Sequence, residues 1–268
     1  MHKHGKLLLI GCGNMGGAML AGWLAAGRDA AEFAVLDPAL ASTPEGVSLY
    51  RDASEVPGDH GAVLLGFKPQ QLKDLAPRLQ AIAGSDVVLY SLLAGLTLAQ
   101  LQEAFPASKA HVRVMPNLAA RLNKSPVILL EEGLDEAQRA ATFALFDTLG
   151  TAVWLDDEAK FDLVTALAGS GPGFVYRFID ALAAAAVRLG LEEVQATDLA
   201  TAMVDGASSL AAASDAAPGV LADRVASPGG MTREGLNVLD SDDALVDLLT
   251  QTLRETANRG VQLSAGAK

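Results

Sequence analysis

The 268-residue sequence predicts an α/β protein in two parts, an N-terminal parallel sheet covered by helices on both faces and an all-helical region after it. Three observations carry this. Short, continuously apolar runs alternate with helical stretches over the first 157 residues, a glycine-rich turn separates the first run from the first helix, and strand-like sequence stops at Glu158. A strand buried on both faces loses the alternation of an exposed one, so an unbroken run such as Leu7-Leu-Leu-Ile10 is what a covered parallel sheet needs.

The elements follow in order. Leu7–Ile10 reads as a strand and Asn14 to Ala26 as an amphipathic helix; Phe33-Ala-Val-Leu36 and Ala62-Val-Leu-Leu-Gly66 are the next strands, with helical pattern from Gln70 to Leu79. Val87-Val-Leu-Tyr90 precedes a helix over Leu98–Phe105, and Val112-Arg-Val114 ends at Met115-Pro116. Val127-Ile-Leu-Leu130 leads into a helix from Asp135 to Leu149, and Thr151-Ala-Val-Trp154 closes the series. This divides the chain into a sheet domain at 1–157 and a helical domain at 158–268. In the second, Phe174 to Leu189 is apolar almost all round and Gln195 to Ala213 nearly so, which demands burial. A second copy of the chain is the expected cover, giving a homodimer or higher homo-oligomer; an Ala-rich monomeric bundle is the alternative.

Composition excludes several classes. With 20 basic and 32 acidic side chains the net charge is -12, so nucleic acid is not an expected partner. Cys12 is the only cysteine, which rules out an internal disulfide or a cysteine zinc cluster, and no metal is expected. The apolar run at the N-terminus breaks at Gly11 after four residues, too few for a secretory leader, and no run is long enough to span a membrane. These features predict a soluble, cytoplasmic protein.

Gly11-Cys-Gly13-Asn14-Met15-Gly16 follows a strand and opens a helix, the context of a Rossmann-type dinucleotide site. The first glycine turns the chain, the second admits a pyrophosphate, and the third lets helix and strand approach. Asp37 ends the second strand 21 residues after Gly16 (37 − 16). A carboxylate there accepts from ribose hydroxyls and repels a 2′-phosphate, and Pro38-Ala-Leu-Ala41 brings no cation, so NADH is favoured over NADPH. Turn capping beside Pro38 is its plainer role. Lys68-Pro69 and Ser91-Leu-Leu-Ala94-Gly95 close later strands at the end where such sheets bind ligands. Lys68 faces either ligand or solvent, and the small residues at 94 and 95 permit close packing on nicotinamide.

A second turn, Ser227-Pro-Gly-Gly-Met-Thr232, opens onto another helix. Unpaired N–H groups and the helix dipole at such an opening bind carboxylates or phosphates. The backbone N–H groups at Gly230, Met231 and Thr232 are the candidate grip for a small acid, with Ser227 shaping the turn. The Thr232 hydroxyl is either a helix N-cap or a contact to the substrate's carboxylate or ring nitrogen.

With these landmarks in order, the chain resembles the pyrroline-5-carboxylate reductases over essentially its whole length. The resemblance rests on Gly11-Cys-Gly-Asn-Met-Gly-Gly-Ala18, Lys68-Pro69-Gln70, Met115-Pro-Asn117, Thr165-Ala-Leu-Ala-Gly-Ser-Gly-Pro172 and Ser227 to Thr232. It implies a Rossmann domain, a helical domain that interlocks with a partner's, and a cyclic imino acid held between nicotinamide and the turn at 227–232. Met231 stands where the family commonly has Thr or Ala, Phe67 where Val usually precedes the Lys-Pro pair, and 118–124 departs from the family pattern.

The chemistry implied asks little of acid–base groups, because a protonated C=N carbon is already electrophilic; orientation and exclusion of water are the main tasks. The histidines agree: His2 and His4 sit in the tail, His60 in a polar loop and His111 at a strand start, none at a catalytic position. Gly169-Ser-Gly-Pro-Gly173 reads as a close-packed turn before a buried helix, and Asp215 and Arg224 as solvent or interface charges. The nearest rival, a β-hydroxyacid dehydrogenase, oxidises an alcohol and needs a lysine early in its long helix; Lys160 is the only lysine between Lys124 and Lys268. A nucleotide-binding scaffold without activity has no use for the second anion turn.

Overall fold

The computed structural model describes residues 5–266. His2 and His4 lie outside the described residues. The chain forms two compact units, residues 1–169 with 256–268, and residues 170–255.

The first unit carries an eight-stranded sheet in the order β3-β2-β1-β4-β5-β6-β7-β8. The strands are β1 (Lys6–Ile10), β2 (Phe33–Leu36), β3 (Ser48–Tyr50), β4 (His60–Leu65), β5 (Val88–Ser91), β6 (Ala110–Met115), β7 (Ser125–Glu132) and β8 (Gly150–Trp154). Its main helices are α1 (Asn14–Ala25), α2 (Leu72–Leu79), α3 (Leu98–Ala104), α4 (Glu136–Asp147) and α5 (Phe161–Val164). Successive residues of β1 serve opposite layers, as the pleat requires. Leu7 and Leu9 pack with Trp23, Phe33, Val35, Val112 and Phe146, whereas Leu8 and Ile10 pack with Leu79, Leu89, Leu101 and Phe105. Trp23 anchors the first layer, stacking on Phe33 at 5.2 Å and donating from Nε1 to the Leu145 carbonyl at 2.9 Å.

The sequence expectation needs two corrections here. The sheet is not wholly parallel: β7 runs antiparallel to β6, with Val114 opposite Leu129. The edge strand β3 pairs with β2, Leu36 opposite Tyr50, and was not anticipated.

Beyond the sheet, Arg113 on β6 is buried and donates to Glu158 Oε1 at 2.8 Å, its guanidinium 3.6 Å over the Phe161 ring. Burial pulls its pKa down and Glu158 opposes the fall. The same carboxylate oxygen accepts the Leu98 N–H, so one acid ties the segment before α5 to β6 and α3. Residues Thr165–Gly169 then wind as a π-turn, and the Asn117 side-chain amide donates to the Ala168 carbonyl at 3.0 Å.

The second unit holds α6 (Gly171–Arg188), α7 (Glu193–Ala212), α8 (Pro218–Val225), α9 (Met231–Asp240) and the first half of α10 (Ala244–Gly266). The α6–α7 hairpin packs through Ala183, Ala196 and Ala200. Of the close-packed turn expected at 169–173 only the start is close-packed: a Cβ on Gly169 meets Thr165 and Met115. The Gly173 N–H donates to the Ser170 carbonyl at 2.9 Å, and Gly171, which opens α6, and Gly173 have open space among the described residues. The burial these helices demand is not supplied within one chain, as the expected cover by a second copy requires. Tyr176, Phe178 and Leu182 on α6, Leu189 at its C-cap, and Leu199, Met203 and Leu210 on α7 are exposed. No helix among the described residues is long and apolar enough to cross a membrane.

Candidate active site

The order of strands reverses between β1 and β4, and the carboxyl ends at that reversal form the usual ligand crevice of an open α/β sheet. There the three glycines have separable tasks. Gly11 turns with φ of +84°, a region closed to most side chains. Nothing lies within 4 Å of a Cβ placed on Gly13, so an incoming phosphate finds the backbone uncovered. A Cβ on Gly16 falls 3.0 Å from the Gly11 carbonyl, so its absence lets α1 sit close to the turn. Gly13 is the N-cap of α1 and supplies no side-chain cap. The N–H groups at Asn14, Met15 and Gly16 lie in the first turn and make no hydrogen bond among the described residues, which fits them to a pyrophosphate.

Asp37 serves the turn directly. Its Oδ2 accepts the Cys12 N–H at 2.9 Å and its Oδ1 accepts the Ala39 N–H at 2.9 Å. The capping role foreseen beside Pro38 is therefore present, and lone pairs remain for ribose hydroxyls. Cys12 is buried next to this carboxylate, and burial first, with Asp37 second, pushes its thiol up to about 11. The thiolate is the reactive form. We expect iodoacetamide at pH 8 to label native Cys12 at least ~10-fold more slowly than in the urea-unfolded chain, followed by mass spectrometry; equal rates would contradict this environment.

The other predicted residues sit around the same strand ends. Lys68 is exposed, with its N–H donating to Gln71 Oε1 at 3.1 Å and no ion pair among the described residues. Pro69 begins the short helical turn that leads to α2. Ala94 is exposed, whereas Gly95 is buried with φ of +78°. His60 and His111 are engaged locally: both ring nitrogens of His60 face carbonyls of Pro57 and Ile82, and His111 Nε2 lies 3.0 Å from the Phe105 carbonyl.

One neighbour of Asp37 is not visible in the local sequence. Pro38 to Ala41 bring no cation, yet Arg51 stands beside the 37–41 segment, donating to four of its carbonyls. The strand that delivers it is β3, only three residues long and without an apolar run. The signal available was Gly46-Val47 ahead of alternating Ser-Leu-Tyr.

In the second unit, Ser227-Pro-Gly-Gly230 closes as a four-residue turn. The Gly230 N–H donates to the Ser227 carbonyl at 2.9 Å, with Pro228 second and Gly229 third at φ of +70°, the type II pattern. A Cβ on Gly230 would fall 2.5 Å from Ser227 Oγ, so Ser227 covers the space that glycine leaves. This corrects the expected grip in one respect. The Gly230 amide is committed to the turn, and the open donors are the N–H groups of Met231 and Thr232 at the start of α9. Gly230 is the N-cap, so Thr232 is not, and its hydroxyl makes no hydrogen bond among the described residues. Met231 is 94% exposed. Arg233 pairs with Asp223 at 2.7 Å and bolts α9 to α8 on either side of the turn, while Asp215 and Arg224 are exposed. The described residues contain no cluster of three or more His, Cys, Asp or Glu side chains able to hold a metal.

Comparison with known proteins places these features. A family model described as pyrroline-5-carboxylate reductase dimerisation matches residues 158–263. Pyrroline-5-carboxylate reductase 2 of Bacillus subtilis is 33% identical, covering 96% of this chain and 95% of its own. The solved pyrroline-5-carboxylate reductase of Coxiella burnetii is 28% identical with a TM-score of 0.90, covering 97% of this chain and 98% of its own. The Plasmodium falciparum pyrroline carboxylate reductase, solved with NADP bound, shares the fold at a TM-score of 0.79, covering 98% of this chain and all of its own at 22% identity. A match of this identity along nearly the entire length, on a sheet and turns of this kind, means that the chain belongs to the pyrroline-5-carboxylate reductase family.

Proposed function

We propose that this chain reduces the C=N bond of 1-pyrroline-5-carboxylate to give L-proline, the last step of proline synthesis. The observation that carries the reading is the pair of anion-binding turns, one at 11–16 for a dinucleotide and one at 227–232 for a small acid. The chain supplies binding and orientation, and the bound nicotinamide, NADH or NADPH, supplies the hydride. The Met231 and Thr232 N–H groups hold the substrate carboxylate, with Ser227 and Gly230 shaping the turn. Gly11, Gly13, Asn14, Met15 and Gly16 hold the pyrophosphate. Asp37 meets the adenosine ribose, which favours NADH, and Lys68, Pro69, Ala94 and Gly95 line the coenzyme's path at the strand ends. We assign dinucleotide binding to 1–157, and substrate binding with self-association to 158–268.

Chemically, the substrate nitrogen enters protonated, a hydride adds to the adjacent carbon, and the product leaves as a secondary amine. The Thr232 hydroxyl, being unpartnered, is the side chain placed to hydrogen-bond the carboxylate or the ring nitrogen. A hydrogen bond to a charged group contributes about 1.5–3 kcal/mol, or roughly 10- to 100-fold in rate. Thr232→Ala is therefore expected to lower kcat/KM for the imine by that factor. An unchanged kcat/KM with pyrroline-5-carboxylate and NADH would remove the hydroxyl from the mechanism. Activity with 3-hydroxyisobutyrate and NAD in place of the imine would refute the reductase reading itself.

A further inference from the structure

Arg51 follows directly on β3, whose pairing with β2 sets it beside the segment leaving the carboxyl end of β2. Its guanidinium meets no carboxylate among the described residues. Nη1 donates to the carbonyls of Asp37 at 3.1 Å, Pro38 at 3.3 Å and Leu40, and Nη2 donates to that of Ala41 at 3.1 Å. The loop is wrapped around one cation. The wrapping is anchored at both ends: the Arg51 N–H donates to Glu55 Oε2 at 2.8 Å, and the Asp37 N–H donates to the Tyr50 carbonyl at 3.1 Å. Inside the loop the Asp37 carboxylate is steered by backbone amides alone, those of Cys12 and Ala39.

This arrangement has an electrostatic consequence at the adenosine end of a dinucleotide. The guanidinium best placed to answer a 2′-phosphate has turned its donors to carbonyl oxygens, while the adjacent carboxylate has no ion-pair partner among the described residues. A ribose 2′-hydroxyl can donate to that carboxylate, whereas a phosphate there meets like charge. Resting on the coenzyme role given above to Asp37, we propose that Arg51 is a positioning residue for coenzyme choice. It fixes the 37–41 loop so that Asp37 reads ribose hydroxyls, and the N–H groups it commits to that loop are not offered to a 2′-phosphate, which makes NADH the preferred reductant.

The test titrates the full-length protein with ADP-ribose and with 2′-phospho-ADP-ribose by isothermal calorimetry. These probes report the adenosine half alone and need no imine turnover, so failure of this inference is distinguishable from failure of the reductase reading. Wild type is expected to bind ADP-ribose at least ~10-fold more tightly than the phosphorylated probe, a gap of about 1.4 kcal/mol. Arg51→Met, which keeps the length and removes the donors, should weaken ADP-ribose and narrow the gap. Arg51→Lys, which cannot span four carbonyls, should fall between. Asp37→Ser, which removes the carboxylate, should move preference toward the phosphorylated probe, and Arg51→Gln, which keeps a polar side chain but fewer donors, carries the test if Arg51→Met misfolds. Wild-type preference for the phosphorylated probe would overturn the proposal. So would an Arg51→Met loss confined to that probe, an Arg51→Met effect within twofold on both, or an unchanged preference in Asp37→Ser.

Discussion

Gly13→Asp should abolish useful coenzyme binding while leaving the fold intact or slightly more stable. A Cβ at this position meets nothing within 4 Å, so the new side chain displaces no protein atom. Gly13 is also the N-cap of α1 and lacks a side-chain cap, the place where aspartate serves a helix well. Its carboxylate would nevertheless stand at the site proposed for the pyrophosphate. Like charges brought together cost several kcal/mol, and about 3–4 kcal/mol corresponds to roughly a 10²- to 10³-fold loss of affinity. Quenching or enhancement of NADH fluorescence on titration checks the binding, and thermal unfolding checks the fold. Affinity within threefold of wild type would mean that the dinucleotide does not lie along the 11–16 turn.

The second large effect concerns self-association. Phe178 and Leu182 lie one helical turn apart on α6 and are 49% and 37% exposed in the single chain. The family model matching this region describes dimerisation. Fully burying side chains of this kind contributes about 1.5–3 kcal/mol each, and placing charge there adds a desolvation cost. The double substitution Phe178→Asp with Leu182→Asp is expected to convert the homo-oligomer to monomer at micromolar concentration and to reduce reductase activity by at least ~100-fold. Size-exclusion chromatography with light scattering reads the mass. An unchanged oligomer would place the self-association surface elsewhere.

How much of this was legible before any coordinates can be judged from individual elements. The runs at Leu7, Phe33, Ala62, Val87 and Val127 became strands because a covered sheet needs apolar side chains on both faces, a demand written locally. The direction of β7 is not local. Residues 116–124 between β6 and β7 are fewer than the dozen a parallel crossover takes, and that shortness was the readable clue to antiparallel pairing. Strand β3 left almost no trace, because Ser48-Leu-Tyr50 takes its place from pairing with β2, and Arg51 was hidden with it. At the turn over 227–232, the motif marks a helix opening, yet which amides stay open depends on the bond between Gly230 and Ser227. For α6, apolar content correctly demanded a partner but could not say that so little of the cover comes from the same chain.

One contact within the sheet domain bears on how a coenzyme would be received. Three-quarters of the way along α1, a Cβ on Gly22 would come 2.1 Å from the Ala120 carbonyl, and the Asn123 side chain donates to the carbonyls of Gly22 and Thr148. With its last turns held there and Trp23 fully buried, α1 is tied to the segment at 118–123 and to the end of α4. The ordering of the amide cluster at its tip is thus settled when the polypeptide folds. If the coenzyme lies along the 11–16 turn, crystals grown without nucleotide are expected to take it up by soaking; cracking of the lattice would show that this end rearranges on binding.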